Sequence, residues 1–158
     1  MSLSTSIKSF VIAAICIVAS SVATSAFAID PIFSTKEGAI RGYDPVAYFS
    51  KHKAVKGSEK FTTQWQGANW HFSSQANLDA FKSDPEKYAP QYGGYCAYGV
   101  SQGYTPEIDP QAFHVREGKL YLNLSKVVLK KWRQDIPTYI TDANKNWPEL
   151  KAGTYVEK

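Results

Sequence analysis

A spacing of 51 residues recurs along the chain and constrains its fold more than any other feature. At this one offset Gly67 pairs with Gly118, Trp70 with Tyr121, Ser74 with Ser125, Leu78 with Leu129, Phe81 with Trp132, Lys82 with Arg133, Asp84 with Asp135 and Tyr88 with Tyr139. Each pair has one physical job: a turn glycine, a strand aromatic, a helix cap, a core-facing helix side chain or a helix end. The flanking residues agree. Phe61-Thr62-Thr63-Gln64-Trp65 and Trp70-His71-Phe72 are short β-branched and aromatic runs on either side of the turn Gln66-Gly67-Ala68-Asn69. Phe113-His114-Val115 and Leu120-Tyr121-Leu122 flank Glu117-Gly118-Lys119 in the same way. After each hairpin a serine opens a helix whose apolar residues, Leu78 with Phe81 and Val128, Leu129 with Trp132, share one side. A lone hairpin buries too little to be stable. The expectation is therefore an α+β fold: a small single domain of two β-hairpin-plus-helix units sharing one core, with additional short helices. Any hairpin followed by a capped helix needs these residue types, so the spacing suggests two copies of a unit without proving duplication.

Around these units the chain divides simply. Residues 1–28 read as a cleaved signal peptide: Lys8 gives a positive start, Phe10 to Val22 is almost wholly apolar, and Ala26-Phe27-Ala28 offers small residues at the cleavage positions. The apolar run is short for a membrane span, which takes about 20 residues, and Cys16 within it follows Ile15 and does not read as a lipid site. Residues 29–41 read as a flexible lead-in, 42–150 as the folded domain and 151–158 as a tail. Asp44 caps a short helix with Pro45 at its first position. A last helix opens at Asp135 and Pro137 and stops at Trp147-Pro148. The expected product has no membrane span and is exported, in a bacterium to the periplasm. That compartment oxidises thiols, yet Cys96 alone remains after cleavage, so no intramolecular disulfide forms. The formal charge is +4, of which Lys8 supplies one. The basic residues are scattered. Their densest group, Lys130-Lys131 with Arg133, reads as a solvated helix face, which leaves no clustered footprint for nucleic acid.

Chemistry concentrates at Gly93-Gly94-Tyr95-Cys96-Ala97-Tyr98-Gly99. Gly93 and Gly94 permit an unusual turn or a close backbone approach. A cysteine just after it stands at a helix N-terminus, where unpaired N–H groups lower a thiol pKa. With Tyr92, Tyr95, Tyr98 and Gly94 around it, Cys96 reads as a thiolate or soft-metal ligand in an aromatic pocket. The competing reading is a buried cysteine acting as a small hydrophobe. His71 and His114, on the return strand of the first hairpin and the leading strand of the second, complete a candidate metal set of Cys96, His71 and His114. One cysteine with one or two histidines suits copper, although no methionine follows Met1. A closed zinc site is disfavoured by the lack of C-x-x-C or H-x-x-x-H spacing. Cys96, His114 and Asp109 are the residues of a nucleophilic triad, without a local signature for one. After the expected cleavage there is no second cysteine for thioredoxin-like exchange, and the sequence has no placed carboxylate pair for glycoside cleavage and no glycine-rich nucleotide motif.

Gly42-Tyr43-Asp44-Pro45-Val46-Ala47-Tyr48-Phe49, Trp70-His71-Phe72-Ser73-Ser74, Asn77, Phe81, Asp84-Pro85-Glu86-Lys87-Tyr88 and Gly93-Gly94-Tyr95-Cys96-Ala97 together resemble the YHS domain family, and most closely its exported bacterial stand-alone branch. The resemblance covers about Gly42 to Leu150. It implies a small α+β domain. It also implies a link to metal handling, because short members resemble modules that accompany copper-transporting ATPases. Those members carry cysteines beside the hairpin and in the following helix, where this chain has Ser73 or Ser74 and Asn77. The expected function is a periplasmic, non-enzymatic YHS-type binding or accessory protein. Its ligand near Cys96 is a transition metal, with copper favoured, or a small molecule. The alternatives are an interaction module for a periplasmic protein partner with no small ligand, or a thiol-dependent enzyme.

Overall fold

The computed structural model describes residues 28–157. The export signal expected over 1–28 lies outside them, apart from Ala28. In chain order the elements are β1 (Ser34–Thr35), β2 (Gly38–Ala39), a 3-10 turn (Ile40–Gly42), α1 (Ala47–Ser50), β3 (Ser58–Trp65), β4 (Ala68–Phe72), α2 (Gln75–Ser83) and α3 (Pro85–Tyr88). A second 3-10 turn (Gln91–Gly94), α4 (Ala97–Ser101), β5 (Asp109–Arg116), β6 (Lys119–Asn123), α5 (Lys126–Trp132) and α6 (Ile136–Ala152) follow. The strands pair as three antiparallel hairpins, β1–β2, β3–β4 and β5–β6. The fold is a small single-domain α+β fold, as the hairpin-helix pattern implies.

The two larger hairpins repeat at the level of hydrogen-bond register. Thr63 faces Trp70 as His114 faces Tyr121, and Trp65 faces Ala68 as Arg116 faces Lys119. The irregularity between Ser58 and Thr62 recurs between Asp109 and Phe113. Both turns place two residues at positive φ, Gln66 and Gly67 in one, Glu117 and Gly118 in the other. That is the backbone twist a two-residue hairpin requires. Ser74 and Ser125 then accept N–H bonds of 3.2 Å from Asn77 and Val128, and open α2 and α5. Asp84 and Asp135 cap the next helices by accepting from Lys87 and Thr138.

The repetition reaches further than the hairpins. Ile40, Arg41 and Gly42 have φ of 44°, 60° and 71°, and Tyr92, Gly93 and Gly94 have 55°, 61° and 84°. Each left-handed turn leads through an extended tyrosine, Tyr43 or Tyr95, into a capped short helix, α1 or α4. A side chain at Gly94 would approach Ile40 to 2.7 Å, and one at Gly93 would overlap the Pro31 carbonyl. Both glycines are therefore required by close packing as well as by φ. From Ile40 onward the chain runs twice through one order of elements: left-handed turn, capped short helix, hairpin, serine-capped helix, aspartate-capped helix, the last of which has 4 residues in the first copy and 17 in the second.

Two apolar clusters fill the interior. One gathers Ile32, Ile40, Tyr48, Trp70, Phe72 and Phe81 from the first copy with Cys96, Ile108, Leu120 and Leu122 from the second. The other gathers Tyr92, Val100, Tyr121, Leu129, Trp132 and Ile136. Strand β6 stands between them and is buried on both faces, whereas β4 alternates, with Trp70 and Phe72 inward and Asn69 and His71 outward.

Two expectations about the ends are corrected. The lead-in over 29–41 is part of the fold: Ile32, Ala39 and Ile40 are buried, and the Phe33 N–H donates to the Gly93 carbonyl at 2.8 Å. Its apolar residues are too few to show a period, so their burial has no local signal. The last helix does not stop at Trp147-Pro148 but runs to Ala152 and ends on Gly153 at φ 69°. Proline removes one backbone donor, and the carbonyl this leaves belongs to Asn144, an exposed residue. Trp147 and Leu150 hold the helix on the second cluster across that point. Among the described residues no helix is long and apolar enough to cross a membrane.

Candidate functional site

The left-handed turn at Tyr92–Gly94 delivers Cys96 to the N-cap of α4, and its side chain is 1% exposed. The sulfur accepts N–H bonds from Gly99 at 3.4 Å and Leu124 at 3.3 Å. The thiol faces Oδ1 of Asn123 at 3.8 Å, and that oxygen also accepts the Tyr98 N–H at 3.3 Å. Asn123 is fully buried, and its Nδ2 has no partner among the described residues. Burial pushes the Cys96 thiol above its ordinary range, against the opposing pull of the Gly99, Leu124 and Tyr98 N–H groups. The expected lowering by a helix N-terminus is thus overturned. Desolvation outweighs the nearby N–H groups, and α4 has only five residues with which to build a dipole.

The corresponding corner of the first copy explains this arrangement. There Asp44, also fully buried, caps α1 by accepting from the N–H groups of Val46 at 2.9 Å and Ala47 at 3.3 Å. Its second oxygen accepts the Ser73 N–H at 2.8 Å, the Ser73 hydroxyl at 2.7 Å and Asn77 Nδ2 at 2.6 Å. The Asp44 N–H donates to Val55 as the Cys96 N–H donates to Pro106, and the donors Ser73 and Leu124 follow β4 and β6 at the same place. Cys96 is therefore the counterpart of Asp44. Both tie a short helix to the end of a strand through backbone N–H groups. The resemblance implies metal-binding cysteines at Ser73 or Ser74 and at Asn77; here Ser73 and Asn77 are donors to a carboxylate and Ser74 caps α2.

The remaining candidates spread outward. Tyr92 is buried and its hydroxyl donates to Asn144 Oδ1 at 3.0 Å. Tyr95 donates to the Asp30 carbonyl at 3.1 Å and packs on Phe33 and Trp147. Tyr98 packs edge-on to Tyr139 with Lys131 Nζ 4.9 Å from its ring centre. Gly94 is buried against Ile40 and Pro90. Tyr92 and Tyr95 share Trp147 as a neighbour, whereas Tyr98 packs on Tyr139. His71 borders a cleft of about 360 Å³ with Lys36, Glu37, Lys56 and Glu59. His114 lines a different cleft of about 400 Å³ beside α5. Among the described residues no three His, Cys, Asp or Glu side chains gather as a metal-binding group, so Cys96, His71 and His114 do not come together as one. Asp44 and Asn123 are the buried polar residues that the sequence reading left out of the site. The signal for Asp44 is the echo of Gly42-Tyr43-Asp44 in Gly94-Tyr95-Cys96, displaced one residue from the main spacing; Asn123 has no such signal, since Phe72 stands 51 residues before it.

The fold and its paired buried corners define a small α+β domain made of two like units, with a buried thiol at Cys96 and, among the described residues, no gathered metal site. The YHS domain family model matches residues 46–92, from the residue before α1 to the second left-handed turn. The match thus falls on the first copy and ends before Cys96. No curated protein and no solved structure matches the chain.

Proposed function

We propose that the chain is an exported, non-enzymatic binding or accessory domain of the YHS type, in which Cys96 is a structural cap and ligands are taken at the surface. The observation that carries this reading is the environment of the Cys96 sulfur: 1% exposed, engaged by two backbone N–H donors and held as a thiol by burial. A nucleophile needs an accessible thiolate with a base beside it. A soft-metal ligand needs room for the metal beside the sulfur and further donors gathered around it. Copper held by Cys96, His71 and His114 is the less favoured form of the binding reading, because the two histidines border separate clefts. A buried lone thiol is also compatible with the oxidising compartment that the export signal addresses.

Alkylation of the native protein by iodoacetamide at neutral pH, with copper, zinc and iron measured in the protein purified without chelators, tests the proposal. Cys96 is expected to react only as the protein unfolds, and no metal should be present in stoichiometric amount. Fast native alkylation would move the protein to the thiol-enzyme reading. Stoichiometric copper lost in Cys96→Ser would restore the metal reading.

A further inference from the structure

The two copies share their caps, turns and core positions, and so each serves as a control for the other. They differ sharply on the outer side of the serine-capped helix. In the second copy Lys126 and Lys130 on α5 and Arg133 at its C-cap recur at helical spacing and line the 400 Å³ cleft together with His114. Among the described residues none of these three cations pairs with a carboxylate. The counterparts 51 residues earlier are Gln75, Asp79, Lys82 and Thr63. Gln75 and Asp79 hydrogen-bond each other at 2.8 Å, and the neighbouring cleft of the first copy, about 220 Å³, is lined by Thr63, Gln64, Trp65, Phe81, Lys82 and Pro85 and not by that pair. A hairpin-helix unit of this kind therefore folds without the cationic face. The three unpaired cations repel one another, and packing gives no reason for them.

The cleft in the second copy is not purely polar. Phe113, Val115 and Leu129 contribute to its lining, where the first copy has Thr62, Gln64 and Leu78. Its volume lies in the range of small-ligand sites. We propose that this cleft binds a small organic anion, a carboxylate or similar acid group joined to a compact apolar body, with the acid held by Lys126, Lys130 and Arg133 and the body against Phe113, Val115 and Leu129. The charge complementarity is strong because no acidic side chain lines the cleft. The local field is felt by His114, which burial and the Arg133 and Arg116 charges hold below the ordinary imidazole range. This proposal deepens the binding reading by naming a ligand class. It does not depend on the state of Cys96.

Calorimetric titration of the full chain with naphthoate, its neutral analogue naphthamide and inorganic phosphate tests it. Naphthoate should bind at one site, more tightly than either comparison ligand, and more weakly as salt is raised. Lys130→Glu combined with Arg133→Glu should weaken it by about tenfold or more, as expected when charge-assisted contacts are lost. Lys82→Glu, the counterpart change on the first copy, should leave it unaltered. The exposed positions of all three residues leave the fold intact, checked by an unchanged circular dichroism spectrum. Absence of naphthoate binding, equal binding of naphthamide or phosphate, or full affinity in the Lys130/Arg133 variant would each overturn the proposal. Metal at Cys96 or rapid alkylation would overturn the cap reading and leave this titration unaffected, so the two failures are distinguishable.

Discussion

At Asp44 two backbone N–H groups meet one carboxylate oxygen, and a backbone N–H, a hydroxyl and an amide meet the other. At Cys96 the backbone donors recur as Gly99 and Leu124, but the side chains that would follow Ser73 and Asn77 are Leu124 and Val128, which offer none. A buried carboxylate there would lack donors that make it tolerable at Asp44, whereas a thiol needs fewer. Cys96→Ser, which keeps an acceptor, should cost about 1 kcal/mol. Cys96→Asp should cost about 3 kcal/mol or more, both read from urea unfolding at pH 7. Equal tolerance of the two would refute the correspondence of the corners. The thiol also carries a pH signature. Its folded pKa is raised, so its contribution is complete below the unfolded thiol value of about 8.5 and is lost as pH rises through the folded value. Wild type should therefore lose more stability than Cys96→Ser above that range. Tyrosines that titrate in the same region are common to both proteins and cancel in the difference.

Elements of regular period were legible in the sequence, and elements made by special backbone geometry were not. The hairpins, α2 and α5 follow from turn glycines, serine caps and apolar spacing, all of which act over a few residues. Because Ser74 and Ser125 cap with the same 3.2 Å bond in nearly the same conformation, Ser74→Ala and Ser125→Ala should each cost about 1 kcal/mol in chemical denaturation. A cost confined to one of them would mean that the copies are alike in outline only. The left-handed turns are legible only in part: Gly93 and Gly94 announce one of them, but Ile40, Arg41 and Tyr92 adopt positive φ without being glycine, a conformation that no local preference announces. The candidate metal set failed on strand parity, which the sequence did contain. With Trp70 and Phe72 turned to the core, His71 has to point away from it. Its counterpart in the second copy is Leu122, a core residue, and that of His114 is Thr63, so the two histidines were never equivalent places facing one centre.

The family match, residues 46–92, covers the first copy from Val46 onward, without its left-handed turn and Asp44, and reaches Tyr92 of the next turn, which raises the question of whether one copy is a folding unit. The packing argues that it is not. The cluster that holds Trp70, Phe72 and Phe81 is completed by Ile108, Leu120 and Leu122 from the second copy. Tyr48, on α1, donates to the Pro110 carbonyl at 3.0 Å and packs edge-on to Phe113 with ring centres 4.9 Å apart. Strand β6 lies between the two clusters with its inward residues divided between them. Losing a buried leucine costs about 2–5 kcal/mol, so removing Leu120 and Leu122 together takes away an amount comparable with the whole stability of a small domain, about 5–15 kcal/mol. The lead-in binds the copies further, since Phe33 of the first donates to Gly93 of the second. A fragment of residues 29–89 should therefore show no cooperative transition in urea and little dispersion in its amide proton spectrum. Mixed with a fragment of residues 90–157, it should regain both, because the missing core surface is restored. A cooperative transition in the first fragment alone would make the repeat two domains in series, and the cleft beside α5 would then have to be judged as the property of one copy.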